Sequence, residues 1–380
     1  MRLTDRWSAV LDQLRSQGRY RELRSPAGVD LSSNDYLGYG GARASPAGAE
    51  LPLSGMGSRL LRGHHPIWDD VEAALAHWHG AEAALMMTSG YAANEGLLAT
   101  VVQPGDWVAS DQFNHAAIID GLRLAGAERF IYRHQDLNHL EAGLREASRQ
   151  RTDPRELFVV TESLFGMDGD MTPLGPLVQL AERYGAHVIV DEAHSTGCFG
   201  PAGSGCVDAE GLRSRVLATV HTGGKALGVC GAYICGSGQL RELLINRCRH
   251  FIFTTALPPT VGAWWLEALA RVQSDNAGRA NLHVAAAVFR AELTRHDIPM
   301  RGAHYIVPVV LGSDGRATEV ARRLRAAGWD IRAIRPPSVP LGTARLRISV
   351  HADHAPQTLT AVAAAVAEEL TSHVAGDGMS

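Results

Sequence analysis

The sequence predicts an α/β protein whose larger part is a mainly parallel seven-stranded sheet between helices. Three observations carry this reading. Short apolar, β-branched runs recur between about residues 83 and 235, helical stretches separate most of them, and Gly or Asp marks the strand ends. Strands joined through helices run parallel, and a sheet covered on both faces needs near-continuous apolar strands of this kind.

In chain order, Thr4 is read as the cap of a helix that carries Trp7, Val10, Leu11 and Leu14 at helical spacing and ends near Gly18. The run Ser32-Ser33-Asn34-Asp35-Tyr36-Leu37-Gly38 is rich in turn formers. Residues 40–58 are loaded with Gly, Ala, Ser and Pro, the composition of a connector or of a loop that lets backbone approach a ligand. The strands expected are Ala83–Met87, Trp107–Ser110, Phe130–Tyr132, Leu157–Val160, His187–Val190, Val216–Val220 and Ala232–Cys235, with Leu174–Tyr184 as one of the helices between them. A helix around Val261–Gln273 leads into a smaller α/β region. There His304–Leu311 and Arg345–Val350 read as strands, Ala317–Ala327 as a helix, and Leu359, Val362, Val366 and Leu370 mark a final amphipathic helix.

At 380 residues the chain exceeds what one core usually spans, so two packed domains are expected. Hydrophobic content of 46% and charged content of 20% exclude a disordered or fibrous chain. A net charge of −4 gives no reason to expect nucleic acid or an anionic membrane as partner, so an anionic substrate needs a local Arg or Lys cluster. No run approaches the roughly 20 apolar residues of a membrane span, and the charged N-terminus has no apolar signal core. A cytoplasmic protein is expected. The cysteines, Cys198, Cys206, Cys230, Cys235 and Cys248, are odd in number and show no zinc-type spacing, so reduced, buried thiols and no metal are expected.

Two motifs carry the chemistry. In Val188-Ile189-Val190-Asp191-Glu192-Ala193-His194 an Asp follows a buried strand, where a carboxylate is costly unless a cation meets it. A protonated pyridine nitrogen is such a cation, and the pair keeps the ring electron-withdrawing. Thr222-Gly223-Gly224-Lys225 follows the next strand, and a partly desolvated amine in a Gly-rich turn is suited to attack an aldehyde. Alone, Asp191 reads better as a helix cap and Lys225 better as a surface lysine in a loop. Together, in this order, they point to pyridoxal 5'-phosphate held by Lys225 as a Schiff base.

Thr88-Ser89-Gly90-Tyr91-Ala92-Ala93-Asn94 follows an apolar strand and opens a helix. Unpaired N–H groups at a helix start, with Gly admitting close approach, make a phosphate site, although for an isolated Ser-Gly a simple Ser cap is the preferred reading. His115, just past a strand end, either stacks on a flat cofactor ring or is structural.

These motifs occur in order with Asn34-Asp35-Tyr36-Leu37-Gly38, Met167-Asp168-Gly169-Asp170, Phe251 to Pro259, and Arg335-Pro336-Pro337-Ser338-Val339-Pro340. On them the chain resembles the α-oxoamine synthases, from about Arg21 to Leu370. These are fold-type I pyridoxal-phosphate enzymes with an aspartate-aminotransferase-like fold. The run from Arg335 to Arg347 resembles the branch that serves biotin biosynthesis.

The resemblance implies a C-acyltransferase that condenses L-alanine with pimeloyl-CoA or a pimeloyl-carrier protein, as a homodimer with a shared active site. It implies that Lys225, His115 and Asp191 are catalytic, and that His194 bonds the ring phenolate oxygen while His115 stacks on the ring. Gly90, Tyr91 and Thr222 hold the phosphate, and Thr255 reaches the phosphate of a neighbouring subunit. Asn34 and Arg347 hold the amino acid carboxylate, with Arg345 the second choice, and Arg21 and Ser338 contact the acyl substrate. From the residues alone, Arg21 reads as a solvated charge at a helix end. The implied division is residues 1–38 as an N-terminal helix and substrate-entrance segment, 39–270 as a large cofactor-binding domain, 271–372 as a small C-terminal domain and 373–380 as a disordered tail.

The chain departs from the family pattern at Gly166, usually Ser, at Ser338, usually Thr, and at Gly223-Gly224, usually a single Gly. The alternatives are an α-oxoamine synthase that uses glycine or serine or another acyl donor, and a non-catalytic partner subunit of the same fold. The retained Lys225 and Asp191 speak against the second.

Overall fold

A computed structural model describes residues 1–41, 50–150 and 155–371. The chain forms two compact units. The first contains Met1–Tyr36, Gly166–Asp170 and the chain from Ala280; the second contains Leu37–Phe165 and Met171–Arg279.

The second unit is built on a seven-stranded sheet. Its strands are β1 (Ala83–Met87), β2 (Trp107–Asp111), β3 (Glu128–Tyr132), β4 (Leu157–Glu162), β5 (Ala186–Asp191), β6 (Ala218–Thr222) and β7 (Ala232–Gly236). Their order across the sheet is β1-β7-β6-β5-β4-β2-β3, and β7 alone runs antiparallel to its neighbours. Alternate residues serve opposite faces. Val160 and Ile189 enter one core with Leu97, Ile118 and Val220, while Val159, Val188 and Val190 enter the other with Leu140, Leu144 and Leu177. Burial on both faces is why β4 is apolar along most of its length and buried throughout. The edge strand β3 is mostly exposed, which matches its mixed composition.

The first unit holds a three-stranded antiparallel sheet of β8 (Ile306–Gly312), β9 (Arg332–Ile334) and β10 (Ala344–Ser349), in the order β9-β10-β8. The helices Asp314–Ala326 and Pro356–Thr371 also belong to this unit, and Leu359, Val362 and Val366 of the second are fully buried.

Three expectations about elements need correction. Thr4 does not cap the first helix. Leu3–Ser16 begins two residues earlier than that cap implies, capped at Arg2, whose N–H donates to the Asp5 carboxylate at 3.1 Å. The expected Val216–Val220 strand is displaced to Ala218–Thr222, because pairing runs on until Thr222 meets Ala232. Asn276–Arg295 forms a 20-residue helix that the sequence reading did not single out. The expected disordered tail, 373–380, lies outside the described residues, as do residues 42–49 of the Gly-rich stretch.

Candidate active site

Parallel strands present their carboxyl ends at one side of a sheet, and ligands of such sheets bind there. The second unit collects its candidate residues at that side. Gly90 opens a helix after β1, His115 caps the helix Ala116–Ala125 after β2, and Glu162 ends β4. Asp191 ends β5 and Thr222 ends β6, three residues before Lys225.

Lys225 Nζ lies 3.0 Å from His194 Nε2. Asp191 is 5% exposed and accepts from Asn94 Nδ2 and from the Ala193 N–H, both at 2.7 Å. Both donors are neutral, and among the described residues no basic side chain lies within ion-pair distance of Asp191. A buried carboxylate served only by neutral donors fits a cationic ring nitrogen supplied by a ligand.

Glu162 pairs in register with Asp191 and accepts the backbone N–H of His115 at 2.8 Å. Burial first, and then the Asp191 charge, push the Glu162 carboxyl above the usual carboxylate range, with Lys225 opposing. Burial, reinforced by the Lys225 cation and opposed by Asp191, holds the His115 imidazole below its ordinary value. Its Nδ1 accepts from the Ala117 N–H at 3.2 Å, which fixes the tilt of an uncharged ring suited to lie against a flat heterocycle.

The phosphate expectation also meets a fitting environment. Ser89 Oγ accepts the Ala92 N–H at 3.1 Å, and the N–H groups of Gly90 and Tyr91 have no acceptor within their own helix. Thr222 Oγ1 is buried without a hydrogen-bond partner among the described residues. Buried orphan hydroxyls are rare, and this one next to a helix start suits an oxyanion. Gly90 is required by this approach, since a Cβ there would stand 2.6 Å from Thr222 Cγ2. Gly90→Ala is therefore expected to weaken pyridoxal-phosphate affinity about tenfold, in line with the usual 1–3 kcal/mol for overpacking. Fluorescence titration of the apoprotein measures it, and unchanged affinity would contradict this cradle. Tyr91 is exposed and its hydroxyl donates to Asp120, and Thr255 is exposed as well.

The first unit assembles a separate group. Arg347, 5% exposed, donates from Nη1 to Ser349 Oγ at 2.8 Å. Its Nη2 donates to Asn34 Oδ1 at 2.8 Å and to the Tyr36 hydroxyl at 3.2 Å, and its Nε donates to the Gly166 carbonyl. Every acceptor is neutral, so among the described residues this buried cation lacks a counter-charge. Arg345 differs. It is 1% exposed and its Nη1 contacts Asp168 Oδ1 at 2.6 Å, which supplies the opposite charge within the protein. Arg21 and Ser338 are exposed.

Four cysteines are buried as expected, but Cys230 is exposed, because its turn points the backbone carbonyl inward to Trp265 Nε1 and the thiol outward. The fold also gathers buried His79, His221 and Cys235, with ligand atoms within 4.8 Å of one another. Their separation in sequence hid this group. The imidazoles are already bonded to the hydroxyls of Tyr233, Thr196 and Thr219.

Sequence reasoning gave no role to Asn94, Glu162, Tyr36 or Ser349. Asn94 lies four residues after Gly90, on the same helix face, which is the signal that could have flagged it. A second signal was available for Lys225: it is the only lysine in the 380 residues, every other Lys/Arg position being arginine.

Residues 26–366 match the family model described as aminotransferase class I and II. The chain belongs to the class I and II aminotransferases. A similar relative in this family is the 8-amino-7-oxononanoate synthase of Chlorobaculum parvum, 42% identical over 376 residues, which covers 93% of this chain and 95% of the relative. Among solved structures, serine palmitoyltransferase from S. paucimobilis with a bound PLP–myriocin aldimine matches with a TM-score of 0.88 at 27% identity, covering 98% of this chain and 99% of that one. The 8-amino-7-oxononanoate synthase from Francisella tularensis matches with a TM-score of 0.73 at 25% identity, covering 91% and 99%. This aminotransferase-family chain therefore bears out the fold-type I architecture and the α-oxoamine synthase resemblance read from its motifs.

Proposed function

We propose that this enzyme condenses L-alanine with a pimeloyl thioester to give 8-amino-7-oxononanoate, carbon dioxide and free thiol, with pyridoxal 5'-phosphate as cofactor. The observation that carries the reading is the grouping of Lys225, His194 and the cation-seeking Asp191 at the strand ends of the sheet. The 42% identity to an 8-amino-7-oxononanoate synthase supports alanine over the serine of the structurally similar palmitoyltransferase, which is 27% identical.

When bound, the cofactor supplies an aldehyde for the amino group and an electron-withdrawing ring that lowers the acidity barrier at the alanine α-carbon. Lys225 Nζ takes the α-proton and returns one after carbon dioxide has left. Asp191 holds the ring nitrogen protonated, with Asn94 and the Ala193 N–H fixing the carboxylate in place. His194 positions Lys225 and bonds the ring oxygen, and His115 covers one ring face. Gly90, Tyr91 and Thr222 bind the phosphate. Thr255 reaches the phosphate of a second subunit, so the working form is a homodimer. Arg347 and Asn34 hold the alanine carboxylate, which sets which α-carbon bond can break, and Arg21 and Ser338 contact the acyl substrate.

Steady-state assays with L-alanine, glycine and L-serine against pimeloyl-CoA test the substrate. Alanine is expected to be preferred, and faster condensation with glycine or serine would overturn that choice. The two arginines give a paired prediction. Arg347→Ala is expected to lower kcat/KM for L-alanine about a hundredfold or more, since truncating one side of a buried charge pair costs roughly 2–5 kcal/mol, with folding intact. Arg345→Ala is expected instead to lower stability by about 1–3 kcal/mol, because it removes the buried partner of Asp168 and leaves that carboxylate only the more exposed Arg301 at 3.3 Å. Thermal denaturation alongside the kinetics separates the two.

A further inference from the structure

The net charge is −4, yet one cleft of about 280 Å³ within the first unit is walled by Arg21, Arg24, Arg322, Arg325, Arg332 and Arg335. Glu22 is the one carboxylate among its lining residues. Some of these cations have partners. Arg24 pairs with Glu22 at 2.8 Å and Arg322 with Glu319 at 2.7 Å. Arg332 and Arg325 share Asp330, at 2.9 and 4.0 Å.

Two of them do not. Among the described residues neither Arg21 nor Arg335 has a carboxylate within ion-pair distance, and Arg335 donates to the Gly18 carbonyl and to Thr318 Oγ1, both neutral. Burial, followed by the Arg21 and Arg24 charges, holds the Arg335 guanidinium below its ordinary value, with Asp314 opposing. The cleft thus keeps a net positive charge centred on Arg21 and Arg335. A single carboxylate would answer one guanidinium. A fan of planar forks from the N-terminal segment, the helix Asp314–Ala326 and β9 suits a group that presents several oxyanions, and phosphate is that group.

Resting on the proposed condensation, we infer that this arginine cleft binds the phosphate of the pantetheine arm that carries the acyl group. Arg335 stands three residues from Ser338 in the same loop, and Arg21 is itself in the wall, so the cleft adjoins the positions given to the acyl substrate. Phosphorylated pantetheine is common to coenzyme A and to the prosthetic group of a carrier protein, and the same site serves either source.

The double variant Arg24→Glu/Arg322→Glu tests this. Both side chains are about half exposed and engaged with surface acids, so the fold tolerates the change. Arg335→Gln gives an independent second variant. Binding of desulfo-CoA to the holoenzyme is measured by calorimetry, and KM is measured for pimeloyl-CoA, a pimeloyl carrier protein and the phosphate-free S-pimeloyl-N-acetylcysteamine. The inference predicts a rise of about tenfold or more in the desulfo-CoA Kd and in KM for a phosphorylated donor, as expected for several charge-assisted contacts, with a change below about twofold for the phosphate-free thioester. A larger effect on the carrier protein than on pimeloyl-CoA names the protein-borne arm as the source, and the reverse names coenzyme A. An equal rise for all three donors, or no rise for either phosphorylated donor, overturns the inference. Exchange of the L-alanine α-proton with deuterated solvent, followed by NMR in the unaltered enzyme, reports separately on the condensation reading. Its absence would defeat that reading, while desulfo-CoA binding would still decide the cleft.

Discussion

Lys225→Ala is expected to bind pyridoxal phosphate only reversibly and to lose about 10³-fold or more in turnover, at the upper part of the range usual for a positioned proton-transfer group. The chain makes this test unusually clean. Lys225 is the only lysine, so no second ε-amine can take over either the attachment or the proton. The side chain ends in a hydrogen bond to His194 at 3.0 Å, and truncating it removes that contact without touching the strands of the sheet, so folding is expected to survive. Circular dichroism checks the fold, and single-turnover kinetics with L-alanine and pimeloyl-CoA measure the rate. Near-normal turnover in this variant would refute the role assigned to the amine.

Asp191→Asn is expected to lower kcat by about 10²–10³-fold, the usual effect of deleting one preorganised electrostatic contact, while cofactor affinity falls by less than about tenfold. The asymmetry follows from what the carboxylate touches. Its two oxygens accept from the Ala193 N–H and Asn94 Nδ2. An amide can satisfy only one of these donors and sets its own NH2 against the other, which costs roughly 1–3 kcal/mol. The phosphate contacts at Gly90, Tyr91 and Thr222 are untouched, so retention survives while the charge that keeps the ring electron-poor is gone. Asp191→Glu restores the charge and is expected to recover part of the rate. Equilibrium dialysis and steady-state kinetics read the two quantities separately, and a parallel loss of both would assign Asp191 to binding alone.

The large sheet was legible because each strand must be apolar on both faces. Val188, Ile189 and Val190 could only be read as a buried strand, and the structure sends them alternately into two cores. The same logic fails for Asn276–Arg295, whose charged and amide residues mask a regular apolar stripe. Residues held by neighbours in sequence were readable: Gly90 from its strand–turn–helix setting and Lys225 from its Gly-rich turn. Glu162 was not, because its significance lies in pairing beside Asp191 across two strands. The choice between Arg345 and Arg347 shows the limit most plainly. They stand two apart on β10 and so share a face. What separates them is Asp168, 177 residues from Arg345, which neutralises one and leaves the other seeking an anion.

The central claim, that this single ε-amine captures the cofactor, is tested most directly by incubating the protein with pyridoxal phosphate, reducing with borohydride and mapping the modified peptide by mass spectrometry. The account predicts one phosphopyridoxyl group per chain, on Lys225. An unlabelled chain, or a label confined to the N-terminal amine, would contradict it.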